Sequence, residues 1–434
     1  MRGKGSILLL QLIAAALTFT ACSKSANQSV PDKAAPGGEP VTLKFYTMQN
    51  DNYSKDKEEN FNDEIGRFIK QKFPHITIEH VHKPKYEDFL TAGEIPDILL
   101  EGSSYAGTRI KEYGLATDLA EYIKTYDFDL GRINPLLIEQ LRNYSGESKL
   151  FGLPFTGSNF IMYYNKDIFD KFGVPYPKDG MTWDETFELA KRLARKENDS
   201  TYIGFSAHSS LMIKYNQLSL DAIDPNADKA AVNTDEWKKV FDNLKRFYEI
   251  PNNPISKVDD FPKGLQAMVL HVSEKLTLWP QQAQNLNWDV VAAPSFKEKP
   301  NVGLQPNIYS LYVSSGSKHK AEAFQVVAYL LSDEVQSYLS KKGYVVPLAD
   351  KKIQQLVGQN IDGLKGKNAA NAIYFNQYAP PPPKRAANLI FVDGFSLGGS
   401  TFDTMIKNGD DVNTTLRKWE EGINALFEKA KAAK

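Results

Sequence analysis

The chain has 434 residues, with 52 Lys and Arg against 53 Asp and Glu, a formal net charge of −1 and a single cysteine. Charges of both signs are mixed along the whole length, which excludes the basic face that nucleic-acid binding needs. One thiol cannot form an internal disulfide, so a chain long enough for two substantial cores must be held by packing alone.

The N-terminus carries Arg2 and Lys4, then an apolar run from Ile7 to Leu17, then small residues ending at Ala21-Cys22. A basic start, an apolar stretch too short to span a bilayer and a small-residue end are the parts of a secretory signal peptide, here 1–21. Phe19-Thr20-Ala21-Cys22 resembles a bacterial lipobox, with Phe19 where that pattern favours Leu. The resemblance implies cleavage before Cys22, a lipid (diacyl, palmitate-type) on its thiol, and anchoring to the extracytoplasmic face of the cell membrane. Residues 22–40 are rich in Ser, Ala, Asn, Gln, Pro and Gly and cannot bury enough apolar surface to fold. They read as a flexible tether spanning on the order of 25 Å.

The body begins with the alternating strand Val41 to Tyr46, a polar loop over 49–53, a helix from about Asn60 to Lys72 stopped by Pro74, and a second strand from Ile76 to Val81. Strand, helix, strand predicts a crossover in a parallel sheet, hence an α/β fold. Gly93 to Leu100 supplies another buried strand, and its carboxyl end leads into Glu101, Ser103 and Tyr105, where such sheets bind ligands. Phe160 to Tyr164 is a strand, and Asn165 opens a helix that Gly173 and Pro175 end. Thr182 with Glu185 forms a capping box, and helices are predicted over 235–248, 321–341 and 412–433.

The series Phe151-Gly152-Leu153-Pro154-Phe155, Tyr163 to Phe169, Phe172 to Pro177 and Thr182-Trp183-Asp184-Glu185 is followed by Phe261 to Met268, Trp288 to Pro294, Ser317 to Ala323 and Gly343 to Pro347. From about Val41 to the C-terminus it resembles family 1 of the extracellular solute-binding proteins, the maltose-binding-protein-like group. The resemblance implies a two-lobe periplasmic-binding-protein-like fold (type II), hinged around a ligand cleft. Lobe one is expected over 41–155 plus 305–346 and lobe two over 156–304 plus 347–434. Crossings are expected near Pro154–Gly157, Val302–Asn307 and Tyr344–Leu348, and the 261–268 block is expected to start a helix. The implied function is capture of a small solute of the carbohydrate class for an ABC permease, by a monomer that needs no cofactor and performs no catalysis.

A sugar is read by flat aromatic faces and by planar polar side chains that fork hydrogen bonds to adjacent hydroxyls. The cleft loops implied by the resemblance offer Asn50, Asp51, Tyr53, Glu101, Ser103 and Tyr105 from lobe one. Phe155, Ser158, Asn159, Asn307 and Tyr309 come from the crossings, and Trp279 (an aromatic platform) and Phe395 from lobe two. Trp183, Trp237, Trp288 and Trp419 read as core, and Pro380 to Pro383 as a stiff surface connection. His80 and His82 share a strand face without a third ligand at metal spacing and read as surface; no metal site is expected. Nucleophile-elbow, phosphate-loop and dinucleotide motifs are missing from the sequence. A glycan-active enzyme and a ligand-sensing lipoprotein remain as alternatives.

Overall fold

The computed structural model describes residues 39–48, 53, 55–83, 85–102, 109–147, 149–386 and 388–432. Strand β1 (Val41–Met48) pairs in parallel with β2 (Ile76–Lys83), Val41 opposite Ile76 through Met48 opposite Lys83. The connecting helix runs unbroken over 58–72, with a π-helical turn at Asn62–Gly66. With β3 (Ile98–Gly102), β4 (Gly152–Ser158) and, from far along the chain, the strand Asn307–Val313, they make a five-stranded sheet. Leu43 and Phe45 pack on one of its faces and Tyr46 and Met48 on the other. A strand covered on both sides reads as an apolar run with little polar alternation.

A second sheet is built around β5 (Phe160–Asn165). After the two-stranded hairpin β6 (Arg195–Glu197) and β7 (Ser200–Tyr202), the sheet is completed by β8 (Ser206–Ala207), β9 (Met268–Val272) and β10 (Trp288–Ala292), in the order β10-β5-β9-β8. Asn307–Val313 is β11. Phe160, Met162 and Tyr164 enter one core and Ile161 and Tyr163 the other, so this sheet too is covered on both faces. Two sheets with separate cores are the two lobes of the α/β clamp.

The local chemistry behaves as the residue types dictate. Asn165 caps the helix Lys166–Phe172 by accepting from the Asp167 amide, and Gly173 ends it at φ +63. Thr182 and Glu185 make both bonds of the capping box. Several expectations are corrected. No strand forms over 93–97: Pro96 has no N–H, and Asp97 instead accepts from the Lys44 amide at 2.8 Å. The 321–341 helix is two, Lys320–Leu330 and Asp333–Lys341, because Ser332 caps the second by accepting from the Val335 amide. The 261–268 block is a 3-10 turn (Val258–Lys263) leading into strand β9. The His80 ring is buried rather than at the surface, stacked 3.7 Å from Phe61 with its Nε2 3.0 Å from Thr47 Oγ1.

The chain passes between the sheets at Asn159, between β4 and β5. It returns between Leu304, in the second core, and Ile308, in the first. At the third passage Val345 packs with the Trp279 cluster, whereas Val346, Leu348 and Ile353 pack in the first core.

Candidate functional site

Between the two lobes lies a cavity of about 310 Å³. Its first-lobe wall is the end of the helix Pro135–Ser145, with Asn143, Tyr144 and Ser145, plus Lys111 and Glu112. Its second-lobe wall is Lys214, Tyr215, Asp221 and Ile223 and the segment from Pro382 to Phe395. Gln305, at the second passage, closes the side between them.

Tyr215 caps the helix Ser209–Lys214 and packs on Phe160 at 5.4 Å, so the start of β5 fixes its ring. Its hydroxyl donates to Asn307 Oδ1 at 2.9 Å, and Asn307 is the register partner of Ser158. The cavity is thereby tied to the first two passages. Asp393 folds its loop back by accepting from the Phe395 and Ser396 amides at 3.1 Å, which presents Phe395 to the cavity. Burial lowers the Lys214 ammonium to about 8; Asp393 opposes that shift and Arg109, from the other lobe, adds to it. Burial raises the Asp221 carboxyl, although it accepts from the Ile223 amide at 3.1 Å. Burial also pushes the Tyr144 hydroxyl up to about 12. The lining therefore pairs aromatic rings with polar groups, and its charges balance: Lys111, Lys214 and Arg385 against Glu112, Asp221 and Asp393.

The sequence-derived candidates divide into three groups. Phe395 lines the cavity, and Asn307 reaches it through Tyr215. Ser158 and Asn159 are buried at the first passage, where Ser158 Oγ and Asn159 Oδ1 find no hydrogen-bond partner among the described residues. Asn159 Nδ2 donates to the Ile373 carbonyl at 2.8 Å. Tyr309, opposite Gly102 in the ladder, packs at the edge of the first core. A second group is structural where it stands. Phe155 is wholly buried in the first core. Tyr53 donates to Glu64 at 2.9 Å inside that lobe. Glu101 is buried, accepts from the Tyr86 hydroxyl and pairs with Arg109 at 2.9 Å. Trp279 is 1% exposed, stacked on Phe261 at 4.9 Å and edge-on to Tyr163 at 4.5 Å, so no ring face is presented to a ligand and the platform reading is corrected. Asn50, Asp51, Ser103, Tyr105 and Cys22 form the third group and lie outside the described residues.

The family model of the bacterial extracellular solute-binding proteins matches residues 54–337. The chain belongs to this family. The multiple sugar-binding protein of Streptococcus mutans is 23% identical over 368 residues, 78% of this chain and 80% of that one. The sn-glycerol-3-phosphate-binding periplasmic protein UgpB of Brucella abortus is 28% identical over 153 residues, 33% of this chain. The match spans only about a third (34%) of that relative's length. A sugar transporter protein from Rhizobium etli, solved in an open conformation, superposes with a TM-score of 0.71 at 18% identity, covering 89% of this chain and 99% of that one. Such a likeness shows the two-lobe fold.

In this solute-binding protein several lining residues went unseen in the sequence. Tyr144, Lys214, Tyr215, Asp221 and Gln305 are single polar or aromatic residues at the ends of helices and in connections, and no motif marks them. Asp393 and Phe395 share one short loop, of which only the ring was picked out. Among the described residues no group of His, Cys, Asp and Glu is arranged to hold a metal ion, and no helix is long and apolar enough to cross a membrane.

In β9, edge-on to Trp279, His271 accepts from the Val272 amide at 2.8 Å through Nδ1, and its Nε2 lies 3.4 Å from Asp259. Burial lowers its pKa from 6.5 to about 4, with the Lys275 charge contributing. The unfolded chain therefore binds this proton first as pH falls, so stability should decline from about pH 6.5 and the loss be complete near pH 4. The size expected is roughly 3 kcal/mol. Denaturant midpoints at pH 7 and pH 4.5 should differ less in His271→Gln than in the unaltered protein.

Proposed function

We propose that this protein captures a neutral sugar or short oligosaccharide outside the cytoplasm and hands it, chemically unchanged, to an ABC permease. The observation that carries this reading is the interlobe cavity, in which Tyr144, Tyr215, Phe391 and Phe395 stand beside Asp221, Asp393, Lys214 and Gln305. Aromatic faces suit the C–H face of a pyranose and the carboxylates and amide suit its hydroxyls. A cavity of about 310 Å³ falls at the small end of ligand sites.

The charge balance favours a neutral sugar over a phosphate ester. The Arg385 guanidinium is spent within its own lobe on Asp228 (2.7 Å) and on the carbonyls of Asp224, Ala227 and Ile390, and Lys214 faces Asp393. The name of the S. mutans relative supports a sugar, and that of UgpB the phosphate ester. A thermal-shift screen of mono- and oligosaccharides beside glycerol 3-phosphate separates the two, since a ligand raises the midpoint as it saturates the folded state. Stabilisation by glycerol 3-phosphate and by no sugar would overturn the assignment. Phe395→Ala is expected to weaken the sugar about tenfold by calorimetry, from lost ring contact worth roughly 1–2 kcal/mol. An unchanged affinity would remove Phe395 from the site.

Lipidation at Cys22 supplies the anchor in this reading, with 22–40 as the tether, and the folded body acts as a monomer. Cys22→Ser is expected to move the protein from the membrane fraction to the medium or periplasm. Retention in the membrane would contradict the anchor.

A further inference from the structure

The proline run 380–383 is not merely a surface connection. At its start Gln377 is bound on both sides: its amide donates to the Asn301 carbonyl at 2.9 Å and its carbonyl accepts from Gly303 at 2.8 Å. At its end Arg385 holds Asp228 and three carbonyls, and the Ala386 amide donates to Pro225 at 3.1 Å. Both anchors are on the second lobe, since Ile223 and Ala230, flanking the Arg385 clamp, belong to its core, as does Leu304 beside Gly303. Between the anchors the chain has no helix or strand. Consecutive prolines fix φ and keep such a span extended and stiff.

This span touches the other lobe twice. Asn143 Nδ2, at the end of the helix Pro135–Ser145, donates to the Pro382 carbonyl at 3.2 Å. Tyr378 packs against the first-lobe core. Pro382 is buried, and with Asn143 it lines the cavity, so the contact closes one end of the space a solute would occupy.

We propose that residues 377–385 form a latch: a strap fixed at both ends to the second lobe, whose Pro382 carbonyl and Tyr378 ring dock on the first and set the population of the shut clamp. The docking contacts are made by protein groups alone, so the latch biases closure whatever the solute. Apparent affinity scales with the fraction of protein in the competent state. Losing one net hydrogen bond should change the shut-to-open ratio about fivefold.

The test needs no ligand and is independent of the sugar reading. In the full chain carrying Cys22→Ser, spin labels are placed on cysteines introduced at Lys70 in the first lobe and Glu188 in the second, both exposed. Pulsed dipolar spectroscopy then reads the interlobe distances. Asn143→Ala and Tyr378→Ala are each expected to move population to longer distances, about fivefold for Asn143→Ala, with circular dichroism reporting that the fold is kept. A distribution that neither variant shifts would overturn the latch, as would a shift toward shorter distances.

Discussion

Trp279→Ala is expected to destabilise the protein by about 3–5 kcal/mol, the range for truncating a fully buried large aromatic. The ring is 1% exposed and fills the space between Phe261, Tyr163 and Trp288 under one face of the second sheet. Each neighbour would lose contact on one side, and the sheet above cannot collapse into the gap without breaking the β5–β9 ladder. Because Trp279 does not line the interlobe cavity, the affinity of whatever fraction remains folded should change little. Denaturant unfolding together with calorimetry separates the two effects. A large loss of affinity at unchanged stability would mean that the ring leaves its core to meet the ligand, and would restore the platform role.

Glu64→Ala is expected to cost about as much, roughly 3–5 kcal/mol, because it strands a buried cluster. One Glu64 oxygen accepts from both Tyr53 and Tyr344 at 2.9 Å, and the other meets Lys342 at 2.8 Å. The side chain is 4% exposed. Burial above all, and then neighbouring negative charge, holds both tyrosine hydroxyls well above their ordinary pKa, so they stay protonated and need an acceptor. Removing that acceptor leaves two hydroxyls without their partner and Lys342 with Asp63 alone. Glu64→Gln keeps a carbonyl in place and should lose less than half as much by the same unfolding measurement. Equal losses for the two substitutions would show that the charge, and not the acceptor, matters.

These two sites also show what a single sequence can reveal. The strands around Val41, Ile76 and Phe160 and the caps at Asn165 and Thr182 were legible because their signals are local: alternation, a capping side chain, a glycine at positive φ. The tryptophans 183, 237, 288 and 419 were placed in the core by their positions on helix starts, helical faces or a strand and by the usual burial of Trp, and they are there. Trp279 has the same size and the same fate, yet its position in a resemblance suggested a platform. The determinant is what stands opposite the ring, and Phe261 and Tyr163 come from elsewhere in the chain. The cavity was the least legible part. Tyr144, Tyr215 and Asp393 meet only because three separate segments converge, and nothing local marks convergence. The proline run was visible, but its role depends on Asn143, about 240 positions away. Glu64 looked like any acid on a helix, and only the tertiary fold brings Tyr344 and Lys342 onto it.

The interlobe cavity is expected to bind a sugar and to leave it unchanged. The most direct measurement is to saturate the protein with a sugar that stabilises it, titrate by calorimetry, and recover the bound solute for mass spectrometry after prolonged incubation. The account predicts one site per chain, weakened by Phe395→Ala, and a sugar recovered intact. A cleaved or otherwise altered sugar, or binding that Phe395→Ala leaves untouched, would contradict it.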